Sequence, residues 1–377
     1  MNIRLFYPLI EEDDLESLRT CFNDSWLGLG SKVYEFEKEW IKKIVPDSYA
    51  VACNSATAAL HIALLALNLP PDSEVIVPSL TFVSSVNAIV YAGLKPVFAE
   101  VDPKSLTISI DSIRNLINKN TSAILPVHYG GEPCNMEDII NLATSNNLKV
   151  IEDCAHTQGG IYKNKVLGSW GDIGCFSFEE KKGMTTGDGG MLVTKNKDVA
   201  ELAKRIRWLG INKDTWTRAK NTTSQNWYYE ISELGFKYNM NNIAASLGLS
   251  QLKKLDRINS NKTNLIKKYL HTVNDLSYAQ PLLPYSLIEN NKSSYWLFGL
   301  RCDNRDSLMD YLDSKSVSVG MHFTPINEQP LYSDSANKTP ITSEISKKLI
   351  TLPLSPAHSS EEIDYVCDLL KSYELNH

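Results

Sequence analysis

Between about residues 50 and 195 short apolar, β-rich runs alternate with helical stretches, a rhythm that few folds accommodate. Parallel strands joined by crossover helices produce it, because each strand must be carried back over the sheet before its neighbour can begin. The runs at 74–77, 96–101, 123–127, 150–152, 173–178 and 191–194 are the expected strands, and 57–67, 84–91 and 136–144 the expected helices. The fold class is therefore α/β, with a mostly parallel central sheet covered by helices on both faces. After about residue 195 the texture changes. A long helical stretch is expected at 243–270, followed by strand and helix signals at 295–301, 307–314, 317–322 and 361–373. These predict a large domain over 1–245 and a smaller C-terminal α/β domain over 246–377. The polar, turn-rich stretch 212–225 is a candidate mobile loop.

Composition narrows the partners. Across 377 residues, 38 Lys and Arg face 44 Asp and Glu, a net charge of -6 that argues against nucleic acid or an anionic membrane as the main partner. No apolar run approaches the ~20 residues of a membrane span. The first residues meet Pro8 and then an acidic run at 11–14, leaving no room for the apolar core of a signal peptide. A cytoplasmic protein is expected, and the seven scattered cysteines, with no C-x-x-C pair, read as reduced thiols without a zinc signature.

Three stretches carry chemistry. In Cys53-Asn54-Ser55-Ala56-Thr57, small and hydroxyl residues lead into an apolar helix, so free N–H groups and the positive helix end could meet an anion. An ordinary N-cap explains the same residues. In Val150-Ile151-Glu152-Asp153-Cys154-Ala155-His156 a buried strand ends in an acid, where ligands of a parallel sheet bind. Asp153 could equally cap a helix, and His156 could satisfy core hydrogen bonds. The third stretch, Phe176-Ser177-Phe178 through Lys181-Lys182 to Thr185-Thr186-Gly187-Asp188-Gly189-Gly190, puts lysines in a turn between two strands. A lysine desolvated there becomes a competent amine nucleophile; a surface hairpin with two solvated lysines is the plainer account. Together the three supply an amine, an acid and an anion cradle, the set pyridoxal phosphate needs.

With these motifs in order, the chain resembles the nucleotide-sugar aminotransferase family, DegT-like enzymes of the fold-type-I pyridoxal-phosphate class. Further matches are Ser25-Trp26-Leu27-Gly28-Leu29-Gly30, Phe36-Glu37, Pro78-Ser79-Leu80-Thr81-Phe82 and Leu352-Pro353-Leu354. The resemblance implies Lys182 as the Schiff-base lysine, with Lys181 one residue out of register. It implies Asp153 as partner of the pyridinium nitrogen, His156 beside the cofactor and Phe82 stacked on its ring. Ala56, Thr57 and Ser177 would hold the phosphate. Two departures stand out: Glu179-Glu180 replaces the His-Pro or similar residues that many members carry before the lysine. Gly235-Phe236-Lys237-Tyr238-Asn239 replaces Gly-x-Asn-Tyr-Arg, so Lys237 or Asn239 would reach the phosphate of a partner subunit.

The implied activity is a two-stage exchange. L-glutamate would leave its amino group on the cofactor as pyridoxamine phosphate, and a nucleotide-linked keto-sugar, a keto-deoxyhexose, would take it up for surface polysaccharide synthesis. A homodimer with shared active sites is implied as well. Lys182 counts against the family's dehydratase branch, which has histidine there. A transaminase of a small phosphorylated ketone or aldehyde remains open, as does a non-catalytic pyridoxal-phosphate-binding regulator. The 205–218 region, Trp296 and His322 are candidates for the substrate pocket or for plain packing.

Overall fold

The computed structural model describes residues 1–219, 227–284, 294–335 and 338–376. Of the expected mobile loop, 212–219 is described and contains a short helix, Thr215–Ala219; 220–225 lies outside the described residues.

Nine strands belong to the first two hundred residues: β1 Tyr49–Cys53, β2 Glu74–Pro78, β3 Lys95–Ala99, β4 Thr121–Ile124, β5 Lys149–Asp153, the small pair β6 Ile161–Tyr162 and β7 Lys165–Val166, β8 Ile173–Ser177 and β9 Gly190–Thr194. Seven form one sheet in the order β1-β9-β8-β5-β4-β2-β3. All run the same way except β9, which is antiparallel to both its neighbours. The expected mostly parallel α/β sheet is present.

Both faces of the sheet are covered, and β1 shows how alternation builds the two cores. Ala50 and Ala52 face one core with Phe36 and Trp40; Val51 and Cys53 face the other with Ala59 and Ile62. Naming the helices in chain order, α1 spans Glu12–Asn23, α2 Ser31–Lys43, α3 Ala56–Ala66, α4 Val83–Tyr91, α5 Ile110–Leu116, α6 Met136–Ser145 and α7 Lys197–Ile206. α3, α4 and α7 cover one face, and α2, α5 and α6 the other. α3 is apolar nearly all round, as a helix buried on all sides must be.

The Phe-Ser-Phe stretch is anchored by aromatic packing. Trp40 meets Phe176 at 5.1 Å and Phe178 at 5.0 Å between ring centroids, so both phenylalanines point down into the α2 core. Ser177, one residue out of phase, points to the opposite face. Glu37 lies in the same region and is paired with buried Arg207, while its Oε1 accepts from the Ala52 N–H at 2.9 Å.

With Thr215–Ala219 as α8, the chain continues through α9 Asn242–Val273, β10 Ala279–Pro281, β11 Phe298–Cys302, α10 Arg305–Ser314, α11 Pro340–Ser346, β12 Leu349–Leu352 and α12 Ser360–Asn376. The antiparallel sheet β10-β11-β12 and the second half of α9 enclose a third core. α9 runs unbroken through the expected boundary at 245/246, and its first half packs against the large sheet through Ala245, Leu252 and Leu255. The stretch 317–322, expected as a strand, makes only isolated bridges, Ile3 with Val317 and Gly320 with Thr351, before the chain turns inward.

Candidate active site

Ligands of a parallel sheet collect where strands end and helices begin. Here a cavity of about 370 Å³ opens beside the ends of β5 and β8 and the start of α3. Lys182, Asp153, His156, Ser177, Ala56, Thr57 and Phe82 all line it.

Lys182 sits in the connection between β8 and β9. Gln158, buried beneath that turn, holds it in place. Its Nε2 donates to the carbonyls of Ser177 at 2.6 Å and Met184 at 3.0 Å, and its Oε1 accepts from the Met184 N–H at 2.6 Å. Burial pushes the Lys182 ammonium down to about 8, against the pull of Glu179 and Asp153. At pH 7 about a tenth of the amine is therefore free, far more than for an ordinary solvated lysine. Its Nζ lies 4.0 Å from the centroid of the Trp296 ring.

Asp153 ends β5 as a buried carboxyl group. Its Oδ2 accepts from the Ser85 hydroxyl at 2.7 Å and its Oδ1 from the Ala155 N–H at 3.0 Å. Burial raises its pKa, and those two donors and the Lys182 charge oppose the rise. The neighbouring Glu152 points away, taking the N–H groups of Gly168, Trp170 and Gly171, and so fixes the end of the strand. His156 is buried and its pKa is well below the usual value, through desolvation first and then the Lys182 charge. The Gly130 N–H donates to its Nδ1 at 3.2 Å, so the neutral ring carries its proton on Nε2. The ring stacks on Trp296 with centroids 4.1 Å apart.

The anion cradle comes from α3. Ser55 is the N-cap, its Oγ accepting from the Ala58 N–H at 3.1 Å. The first-turn N–H groups of Ala56 and Thr57 have no intrahelical acceptor, and both residues face the cavity. Gly190 permits this placement: a Cβ there would lie 2.3 Å from the Ser55 carbonyl oxygen and 2.6 Å from the Ala56 nitrogen. Thr57 Oγ1 is 2.7 Å from Ser84 Oγ, which extends the hydroxyl set. Phe82 stands at the mouth with 55% of its surface exposed, 5.8 Å from Phe323.

Lys237 and Asn239 are outside this cavity. Lys237 is exposed, its Nζ 3.2 Å from the centroid of Trp208, and the Asn239 Nδ2 donates to the Met240 carbonyl at 3.0 Å. Of the pocket candidates, Trp296 and His322 line the cavity and no residue of 205–218 does. Sequence reasoning does not single out Gln158, Ser84, Ser85 or Phe323. The only signal is proximity: Gln158 is two residues beyond His156, and Ser84 and Ser85 come just after Phe82.

The donor set suits pyridoxal phosphate. A desolvated amine, a buried acid, a neutral imidazole N–H and two free helix-start N–H groups surround a single space.

The sequence pattern of the DegT/DnrJ/EryC1/StrS aminotransferase family matches residues 8–371. GDP-perosamine synthase of Escherichia coli O157:H7 is 32% identical over 381 residues, covering 98% of this chain and 98% of that protein. The spore coat polysaccharide biosynthesis protein SpsC of Bacillus subtilis strain 168 is 32% identical over 375 residues, covering 97% and 95%. Among solved structures, Spr1654 of Streptococcus pneumoniae in its PMP form superposes with a TM-score of 0.91 at 26% identity, covering 100% of both chains, and a PLP form of the same protein is also similar.

Proposed function

The chain belongs to the DegT/DnrJ/EryC1/StrS aminotransferase family and is a pyridoxal-phosphate-dependent aminotransferase; from that premise we propose that it moves an amino group from L-glutamate to a nucleotide-linked keto-deoxyhexose in surface polysaccharide synthesis. The observation that carries this reading is the convergence of Lys182, Asp153 and the start of α3 on one cavity. The choice of a sugar is supported by relatives named for perosamine and for spore coat polysaccharide. At about 370 Å³ the cavity is near the small end of ligand sites, so the nucleotide would lie across its mouth.

Bound here, pyridoxal phosphate supplies an electron sink and a temporary carrier for the amino group. Asp153 would face the ring nitrogen and hold its proton, while the Nε2–H of His156 donates from the side. The N–H groups of Ala56 and Thr57, with the hydroxyls of Thr57 and Ser177, would take the phosphate, and Phe82 would cover the ring. Lys182 Nζ, partly neutral near pH 7, would take the proton from the donor's α-carbon and release it toward the cofactor, then run the same transfer in reverse, delivering a proton to the sugar carbon that comes to bear the amino group. Both half-reactions would use this one amine, and since the amino group would be held by the cofactor after the first product leaves, ping-pong kinetics are predicted.

A homodimer is part of the proposal. Ile231, Leu234 and Trp227 are 68%, 88% and 68% exposed on one short stretch, apolar surface that a partner subunit would cover. Lys237 and Asn239 follow it directly, and one of them would reach the partner's phosphate. We also propose a large domain over 1–245 and a smaller one over 246–377, sharing α9. Seven buried, unpaired cysteines support a cytoplasmic setting. Among the described residues no helix is long and apolar enough to cross a membrane.

The test is glutamate-dependent turnover against a panel of nucleotide keto-sugars and small phosphorylated carbonyls. Saturation by a nucleotide keto-sugar supports the reading; saturation by a small phosphorylated carbonyl alone overturns the sugar assignment.

A further inference from the structure

Lys262 is a buried lysine that the reaction above does not use. It lies on α9, is 3% exposed, and its Nζ donates to the Tyr295 carbonyl at 2.8 Å. No carboxylate pairs with it among the described residues. Burial pushes its ammonium down to about 7, so the fold gives up free energy to keep it there. A residue serving only to fill α9's buried face would be an aliphatic one.

Its surroundings suggest what it does. Tyr295 is followed by Trp296, and this short segment is fastened both to the turn after β4 and to the lysine turn. The Tyr295 hydroxyl donates to Glu132 at 2.9 Å, and the Trp296 backbone N–H to the Gly130 carbonyl at 2.8 Å. The indole Nε1–H donates to the carbonyl of Lys181 at 2.8 Å, inside the turn that carries the reactive amine. The same indole stacks on His156 at 4.1 Å and presents its face to Lys182 Nζ at 4.0 Å. Lys262 touches that turn from beneath as well: a Cβ on Gly183, the residue after Lys182, would lie 3.2 Å from Lys262 Nζ. One ammonium therefore holds the segment bearing the indole and lies against the turn bearing the amine.

We infer that Lys262 is a positioning residue of this aminotransferase, acting through Trp296: it fixes the indole against which both the Lys182 amine and the His156 ring are set. The inference rests on Lys182 being the reactive amine. The indole face attracts the protonated nitrogen, and stacking keeps His156 in the plane from which its Nε2–H is offered. If Lys262 is lost, Tyr295 loses its anchor and the indole swings, so both groups lose their common wall.

The experiment follows the cofactor absorption band of holoenzyme against pH, together with kcat and unfolding temperature. The variants are Lys262→Met, Lys262→Arg, Trp296→Leu and the control Lys254→Met. Lys254 is also on α9 but pairs with Asp13 and Asp14, and none of the three lines the cavity. Lys262→Met is expected to lower the band's midpoint by about half a pH unit, as weakening a cation–π contact requires, and to lower kcat at least about ten-fold. Lys262→Arg should restore both, and Lys254→Met should lower only the unfolding temperature. If Lys262→Met does not fold, Lys262→Gln takes its place and must lower the midpoint in the same direction as Trp296→Leu. An unmoved midpoint in the folded variants, or an equal shift in Lys254→Met, overturns the inference. Borohydride reduction separates the two levels: a tag away from Lys182 defeats the proposed function, whereas a tag on Lys182 with an unmoved band defeats this inference alone.

Discussion

Replacing Gln158 with alanine should both weaken the fold and disable the lysine turn. The substitution removes three hydrogen bonds to backbone groups of Ser177 and Met184, both buried. Each buried backbone group left without its partner is destabilised by about 1–3 kcal/mol. Water entering the vacated space would recover part of this, so the expected loss is about 3–5 kcal/mol out of a total of about 5–15. Gln158→Glu is a sharper variant, since it keeps an acceptor for the Met184 N–H but turns a second oxygen toward two carbonyls. Urea unfolding of the cofactor-free protein, with kcat measured on the loaded enzyme, provides the assay. A Gln158→Ala protein within about 1 kcal/mol of the parent and with unchanged kcat would refute the reasoning that this carboxamide holds the turn.

Three further outcomes are expected. Asp153→Asn should reduce turnover by at least about 10²-fold, because an amide cannot hold the ring nitrogen's proton; stopped-flow measurement of the first half-reaction checks it, and a near-normal rate would remove Asp153 from the mechanism. Gly190→Ala should loosen cofactor binding by about ten-fold or more, since its Cβ would push the start of α3 away from the cavity; fluorescence titration with pyridoxal phosphate that returned the parent's affinity would contradict this. His322, whose pKa burial pushes down to about 4, binds more protons unfolded than folded between that value and its ordinary 6.5. Its contribution to stability is complete above 6.5 and is lost as the pH falls toward 4, so His322→Gln should flatten the acid side of the unfolding-temperature profile, and an unchanged profile would count against it.

The sheet was legible because its strands are buried on both faces and therefore read as apolar runs. β1 escaped notice: Tyr49–Cys53 is short, and Ala50 and Ala52 carry little β preference. Its place comes from pairing with β9, a contact between residues more than a hundred positions apart. The stretch 317–322 misled for the opposite reason, since its residues favour strands but find partners only at single bridges. At the site, the motif residues could be read because each lies at the end of an element. Gln158 and Ser85 could not, because their importance comes from what they touch: a lysine turn twenty-odd residues away and, from helix α4, a carboxyl group at the end of β5. Trp296 remained ambiguous for the same reason. A tryptophan in an apolar run is ordinary core material until Lys182 and His156 are seen against its ring.

The central claim is that the amine at Lys182 carries the cofactor. Borohydride reduction of the purified holoenzyme fixes the cofactor to whichever amine it is joined to, and peptide mass spectrometry then locates it. The account predicts a pyridoxyl group on Lys182. A tag on Lys181 or Lys262, or none at all, would contradict it.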